Sequence, residues 1–89
     1  MADTFEIEIA TPEKLVLRRQ ADYAEIPGKD GYMSVLPGHA ALLSELGEGA
    51  LSITLNGQTD TYAIHGGFVE VRDNHVRVLA DRVEAAAKV

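Results

Sequence analysis

Three features of the sequence predict one all-β domain: a hydrophobic period of two, turn dipeptides at intervals of roughly eight to twelve residues, and a chain of only 89 residues. Eight or more short strands of this kind close most naturally as an antiparallel sandwich or barrel.

The strands can be placed in order. Phe5, Ile7 and Ile9 alternate with Glu6 and Glu8, the pattern of a strand packed on one face and solvated on the other. Thr11-Pro12 interrupts it, because proline has no N–H for a ladder. Leu15 to Leu17 form a second run closed by Arg18 and Arg19, and Tyr23 to Ile26 a third stopped by Pro27-Gly28. Asp30-Gly31 suits the positive backbone angles of a tight turn, so Tyr32 to Leu36 returns from a hairpin tip at Lys29 to Gly31.

Ala40 to Leu43 follow Pro37-Gly38 and lack both strand alternation and helical length; one helical turn or a bent loop is expected. The run either closes the end of the core or presents an apolar patch to another protein, and the residues leave both readings open. Leu51, Ile53 and Leu55 then alternate with Ser52 and Thr54 up to Asn56-Gly57, the strongest hairpin signal in the chain, and Thr59 to His65 returns. Gly66-Gly67 permits a bulge or a close backbone approach before Phe68 to Val71, and Asp73-Asn74 turns into His75 to Ala80. In DRVEAAAKV, Asp81 is a cap with Glu84 three residues on and alanines behind, which predicts a short C-terminal helical turn.

Composition narrows the function. Fourteen acids against eight bases give a net charge of -6, which repels phosphate backbones and anionic headgroups and argues against nucleic acid as a partner. The absence of cysteine removes disulfides, thiolate nucleophiles and Cys-ligated zinc. The acidic, alternating start lacks the plan of a secretory signal, and no apolar run approaches the roughly 20 residues of a spanning helix, so membrane association is expected only through a partner.

No motif carries catalysis. His39, His65 and His75 lack the pairing of zinc motifs and read as surface or turn residues. No serine sits in a G-x-S-x-G elbow, and Gly47 to Ser52 leads into a strand where a phosphate loop would lead into a helix. Glu6 and Glu8 share a strand face but alternate with the core, as solvated residues do. The expectation is no catalytic, metal or cofactor-binding residue and no cofactor.

Four segments resemble the epsilon subunit of the bacterial and chloroplast F-type ATP synthase: TPEKLVL at Thr11 to Leu17, IPGKDGYMSVLPGHAALL at Ile26 to Leu43, IHGGFVEV at Ile64 to Val71, and NHVRVLAD at Asn74 to Asp81. They recur in the family's order over nearly the whole chain. The resemblance implies a flattened sandwich of about ten strands over residues 1–81 with a short helical tail over 82–89, without the two-helix domain that usually follows, so that domain's inhibitory role and ATP site do not carry over. It also implies a non-catalytic rotor subunit of the central stalk, clamping the gamma subunit to the c-ring so that proton translocation drives ATP synthesis. The position implied is peripheral, at the cytoplasmic face of the bacterial inner membrane ahead of the stromal face of the thylakoid.

By position, Lys29, Asp30, Gly31 and Tyr32 would face the c-ring, while Thr11, His39, Leu42 and Ser44 would face gamma. Tyr32 departs from the acidic or small polar residue common in the family, which would put an aromatic anchor in place of a charge. Ala41 departs from a proline, leaving that loop less rigid. The alternative from another class is a free-standing β-sandwich module binding a small ligand or peptide in a concave pocket.

Overall fold

The computed structural model describes residues 3–85, and every regular element among them is a strand. β1 (Phe5–Ala10), β2 (Leu15–Ala21), β3 (Tyr23–Gly28) and β4 (Gly31–Val35) are short; β5 (Leu42–Leu55), β6 (Gln58–Arg72) and β7 (His75–Ala85) are long. They form one hydrogen-bonded sheet in the order β2-β1-β7-β6-β5-β3-β4. Neighbours are antiparallel except β1 and β7, which run parallel with Glu6 opposite His75 and Ala10 opposite Leu79. The sheet is therefore mixed, where alternation alone suggested a purely antiparallel one.

Seven continuous strands replace the expected ten because the three long ones each serve both layers of the sandwich. Before the line through Gly47, Gly66 and Asp81, the inward residues are Leu46 on β5, Val69 and Val71 on β6, and Val76, Val78 and Ala80 on β7. Beyond it they are Leu51 and Ile53, Ile64, and the half-buried Val83. A step of one residue flips a strand's facing, and here it happens in phase on all three strands while the pairing register is kept, Leu46 to Gly67 and Glu48 to His65 on one ladder, His65 to Arg82 and Gly67 to Ala80 on the other.

Glycine makes that corner possible. Gly66 and Gly67 have φ of 67° and 116°, and a Cβ on Gly67 would collide with the carbonyl of Leu79. The pair is thus a close approach and not a bulge, since no register shift accompanies it. Layer A consists of β2, β1 and the near halves of β7, β6 and β5; layer B consists of β4, β3 and the far halves. Phe5, Ile7, Ile9, Ile26, Leu51 and Ile64 belong to one core cluster between them.

The turns follow their chemistry. Asn56 and Gly57 have φ of 53° and 81°, and Asp73 and Asn74 of 51° and 60°, the doubled positive angles of a two-residue hairpin turn. Two chain segments differ from expectation. Residues Asp81 to Ala85 continue β7 and pair with β6 as far as Tyr62 opposite Ala85; the expected helix is overridden because Val83 gains a place on the core, which outweighs the modest helix preference of alanine. The remainder of that expected tail lies outside the described residues. Leu42 to Leu46 likewise begin β5 against Val71 to Gly67, so the helical turn expected over Ala40 to Leu43 does not form and only Ala40 and Ala41 remain as loop. β2 runs through both arginines to Ala21, and β3 carries Pro27 within it, opposite Tyr32.

Candidate docking surface

The outer face of layer A carries a row that alternation did not foretell. Register aligns Leu15 on β2, Ala10 on β1, Leu79 on β7 and Phe68 on β6 across four adjacent strands. Leu15 is 48% exposed, Leu79 49% and Phe68 53%, while Leu43, one diagonal step away on β5, is 72% exposed. At a strand spacing of about 4.8 Å the row is roughly 15 Å long. Beside it Ala10, Thr11, Pro12, Phe68, Leu79 and Asp81 bound an open groove of about 320 Å³. Isolated exposed apolar residues are ordinary, but a contiguous row on one face is a candidate contact surface.

The next row on the same face is ionic. Glu8 is buried, accepting a 2.7 Å hydrogen bond from His75 Nε2, with Arg77 Nε at 3.8 Å and Arg18 Nη2 at 4.0 Å. His75 also lies 3.5 Å from Glu6. Glu8 is therefore not the solvated residue that its alternation suggested: it lies between Arg18 on β2 and Arg77 on β7, its direct neighbours across the strands. Glu6, Glu8 and His75 bring their ligand atoms within 4.8 Å of one another, but two guanidinium groups already stand beside Glu8, so the cluster reads as a structural ion network.

The outer face of layer B is chemically different. Thr54 and Thr59 hydroxyls pair at 2.8 Å and Ser52 and Thr61 at 3.5 Å, with Ala50 and Ala63 opposite each other nearby. These short side chains satisfy one another across the strands. His65 stands at the corner, 3.1 Å from Glu84 and 3.7 Å from Glu48.

The expected interface residues fall into three places. Lys29, Asp30, Gly31 and Tyr32 are exposed at the β3–β4 hairpin tip, together as expected. The tip is not free: Lys29 N–H donates to the Glu45 carbonyl at 3.0 Å, and Tyr32 Oη accepts from Ala50 N–H at 2.9 Å. Thr11 lies at the far end of β1, beside Phe68 and Leu79. His39 lies at the opposite end, against Phe5, Val35 and Val76, its N–H bonded to the Leu36 carbonyl at 3.1 Å and its ring Nδ1–H donating to the Ala40 carbonyl at 2.7 Å. Strand rise puts about 20 Å between Phe5 and Thr11, so the structure does not bring Thr11 and His39 together.

Leu42 and Ser44 are half-buried on the inward side of β5, opposite Val71 and Val69, and Leu43 between them points outward. On the side away from β6, the described residues place no strand beside Leu42 to Ser44, so these two reach a partner only at an open sheet edge. Sequence reasoning missed Leu15, Phe68 and Leu79. The available signal was that Leu79 extends the run Val78-Leu79-Ala80, one apolar residue more than alternation allows.

Comparison with known proteins follows the same lines. Residues 4–86 match the family described as ATP synthase, Delta/Epsilon chain, beta-sandwich domain. Over all 89 residues the chain is 47% identical to an ATP synthase epsilon chain of Solibacter usitatus and 48% identical to one of Koribacter versatilis. It spans 66% and 63% of their lengths, somewhat under two-thirds. Among solved structures, a chain of the Euglena gracilis mitochondrial ATP synthase (OSCP/F1/c-ring, rotational state 1) aligns with a TM-score of 0.89 at 24% identity, covering 96% of this chain and 55% of that one. A chain of the Tetrahymena thermophila mitochondrial ATP synthase central stalk and c-ring aligns with a TM-score of 0.75 at 20% identity, covering 90% and 65%. At those identities the two structures speak for the fold.

Proposed function

The chain belongs to the ATP synthase delta/epsilon family through its beta-sandwich domain, and from that premise we propose that it is a non-catalytic subunit of the central stalk, coupling the gamma subunit to the c-ring so that proton translocation drives ATP synthesis. The observation that carries the reading is the match over residues 4–86, together with full-chain identity of 47% and 48% to ATP synthase epsilon chains. The exposed row of Leu15, Leu79 and Phe68 supports it, because a torque-bearing subunit needs a broad apolar face to grip a partner.

In this reading gamma covers the outer face of layer A. Phe68, Leu79 and Leu43 supply the apolar contact, Thr11 borders it at the groove, and His39, Leu42 and Ser44 extend it around the end and open edge of the sheet. Lys29, Asp30, Gly31 and Tyr32 meet the polar loops of the c-ring. The subunit is then peripheral to the membrane, held at its cytoplasmic face by these partners, and contributes positioning where the catalytic subunits contribute chemistry.

Reconstitution tests this directly. The chain is mixed with purified gamma and with a gamma–c-ring assembly and resolved by size. Co-migration with both is expected; failure to join either contradicts the proposal.

A further inference from the structure

We infer that Tyr32 is a positioning residue, a latch that fixes the β3–β4 hairpin tip against β5 in the orientation it presents; the docking consequence rests on the assignment of that tip to the c-ring. Between the pairs Glu25 with Ser52 and Gly28 with Leu46, five residues of β5, numbers 47 to 51, face only Ile26 and Pro27 of β3. β5 therefore bulges away from β3 here, and the ladder between these two strands lapses. Ala50 N–H consequently finds its acceptor in a side chain: the phenol of Tyr32 reaches across Pro27 from β4 and accepts that N–H at 2.9 Å.

The socket around the phenol is built by what is missing. A Cβ on Gly49 would collide with Tyr32 Oη and lie 3.0 Å from Pro27 Cβ, so the bare glycine leaves the space the hydroxyl occupies. Gly49 does not have a positive φ, so its role is room and not backbone freedom. On the other flank of the bulge a Cβ on Gly47 would lie 2.7 Å from the Gly28 carbonyl, and Lys29 N–H bonds the Glu45 carbonyl at 3.0 Å. The tip is thus tied to β5 twice, by backbone from Lys29 to Glu45 just before the bulge and by Tyr32 to Ala50 within it. The ion pair of Lys29 with Glu45, 3.7 Å long and mostly exposed, adds little to this hold. The aromatic residue at 32 works inward as a tether while the residue remains 56% exposed beside Lys29 and Asp30.

Two substitutions remove the latch by different routes. Tyr32→Phe keeps the ring and deletes the acceptor; Gly49→Ala keeps the phenol and fills its place. Amide hydrogen exchange on the full chain is expected to show Ala50 protection reduced about tenfold in each variant, with Val69 and Val78 unchanged. The double variant is expected to lose no more than either single one, since both remove one bond. Affinity for the gamma–c-ring assembly is expected to fall several-fold while affinity for gamma alone holds. Unchanged protection of Ala50 in Tyr32→Phe overturns the latch. Loss of protection with unchanged c-ring affinity overturns the positioning role. If the unsubstituted chain binds gamma but no c-ring, the assignment of the tip fails and the docking role of Tyr32 with it, while the exchange data still decide the latch. Should Gly49→Ala fail to fold, Tyr32→Phe alone decides between these outcomes.

Discussion

The two outer faces of the sandwich share the same three long strands, extended by β1 and β2 in one layer and by β3 and β4 in the other, and yet differ in kind. Layer A exposes Leu15, Leu79, Phe68 and Leu43 beside a buried, arginine-flanked Glu8. On β5 and β6 the outer face of layer B instead carries serine and threonine, whose hydroxyls pair across the strands, and alanine, while on β4 Tyr32 is 56% exposed. Both layers rest on one core, so the fold itself does not require apolar residues outside. The difference singles out the outer face of layer A as the one that carries a contiguous apolar row.

That contrast depends first on the corner that separates the layers. Gly67→Ala puts a Cβ into the Leu79 carbonyl at a φ of 116° and should destabilise the chain by about 3 kcal/mol. Urea unfolding measures it, and a loss near zero would mean that the strands turn over without the glycine. A smaller effect is expected within layer A. Glu8→Gln leaves His75, Arg18 and Arg77 facing a neutral amide, and stability should fall by about 1–2 kcal/mol; an unchanged midpoint would make the ion row ornamental to the fold.

His39 separates structure from docking at the end of the same layer. Its backbone N–H bond survives replacement, so His39→Ala should leave the chain folded and weaken binding to gamma by about 1 kcal/mol. A stability loss of that size with docking intact would place His39 among the structural residues. The smallest effect belongs to layer B: Ser52→Ala with Thr61→Ala should change neither stability nor gamma binding by more than about 0.5 kcal/mol, because that hydroxyl pair is long at 3.5 Å and solvent replaces it. A marked loss of gamma binding would move the docking face to layer B.

Much of the fold was legible because its signals are local. The alternation of Phe5, Ile7 and Ile9 names an inward face, and Asn56-Gly57 and Asp73-Asn74 have the backbone angles their turns demand. The misread parts depend on distant partners. Ala85 is in a strand because Tyr62 lies opposite, and Glu8 is buried between arginines from two other strands. The ten expected strands became seven because Gly66-Gly67 announces a change of direction without saying that the strand continues through it.

The site was legible in part for the same reason. The hairpin tip from Lys29 to Tyr32 is contiguous in sequence and stays together in space. Thr11 and His39 were grouped by resemblance, and β1 holds them at its opposite ends. The row of Leu15, Leu79 and Phe68 joins positions far apart in the chain and exists only once the register is known.

The most direct test of a stalk role through layer A is a calorimetric titration of gamma with the unsubstituted chain and with Phe68→Ser combined with Leu79→Ser. Removing two exposed apolar side chains should leave the unfolding midpoint nearly unchanged, while the affinity for gamma falls by about 2 kcal/mol or more. Equal affinity of the two proteins for gamma, or no binding by either, would contradict a stalk role through this face.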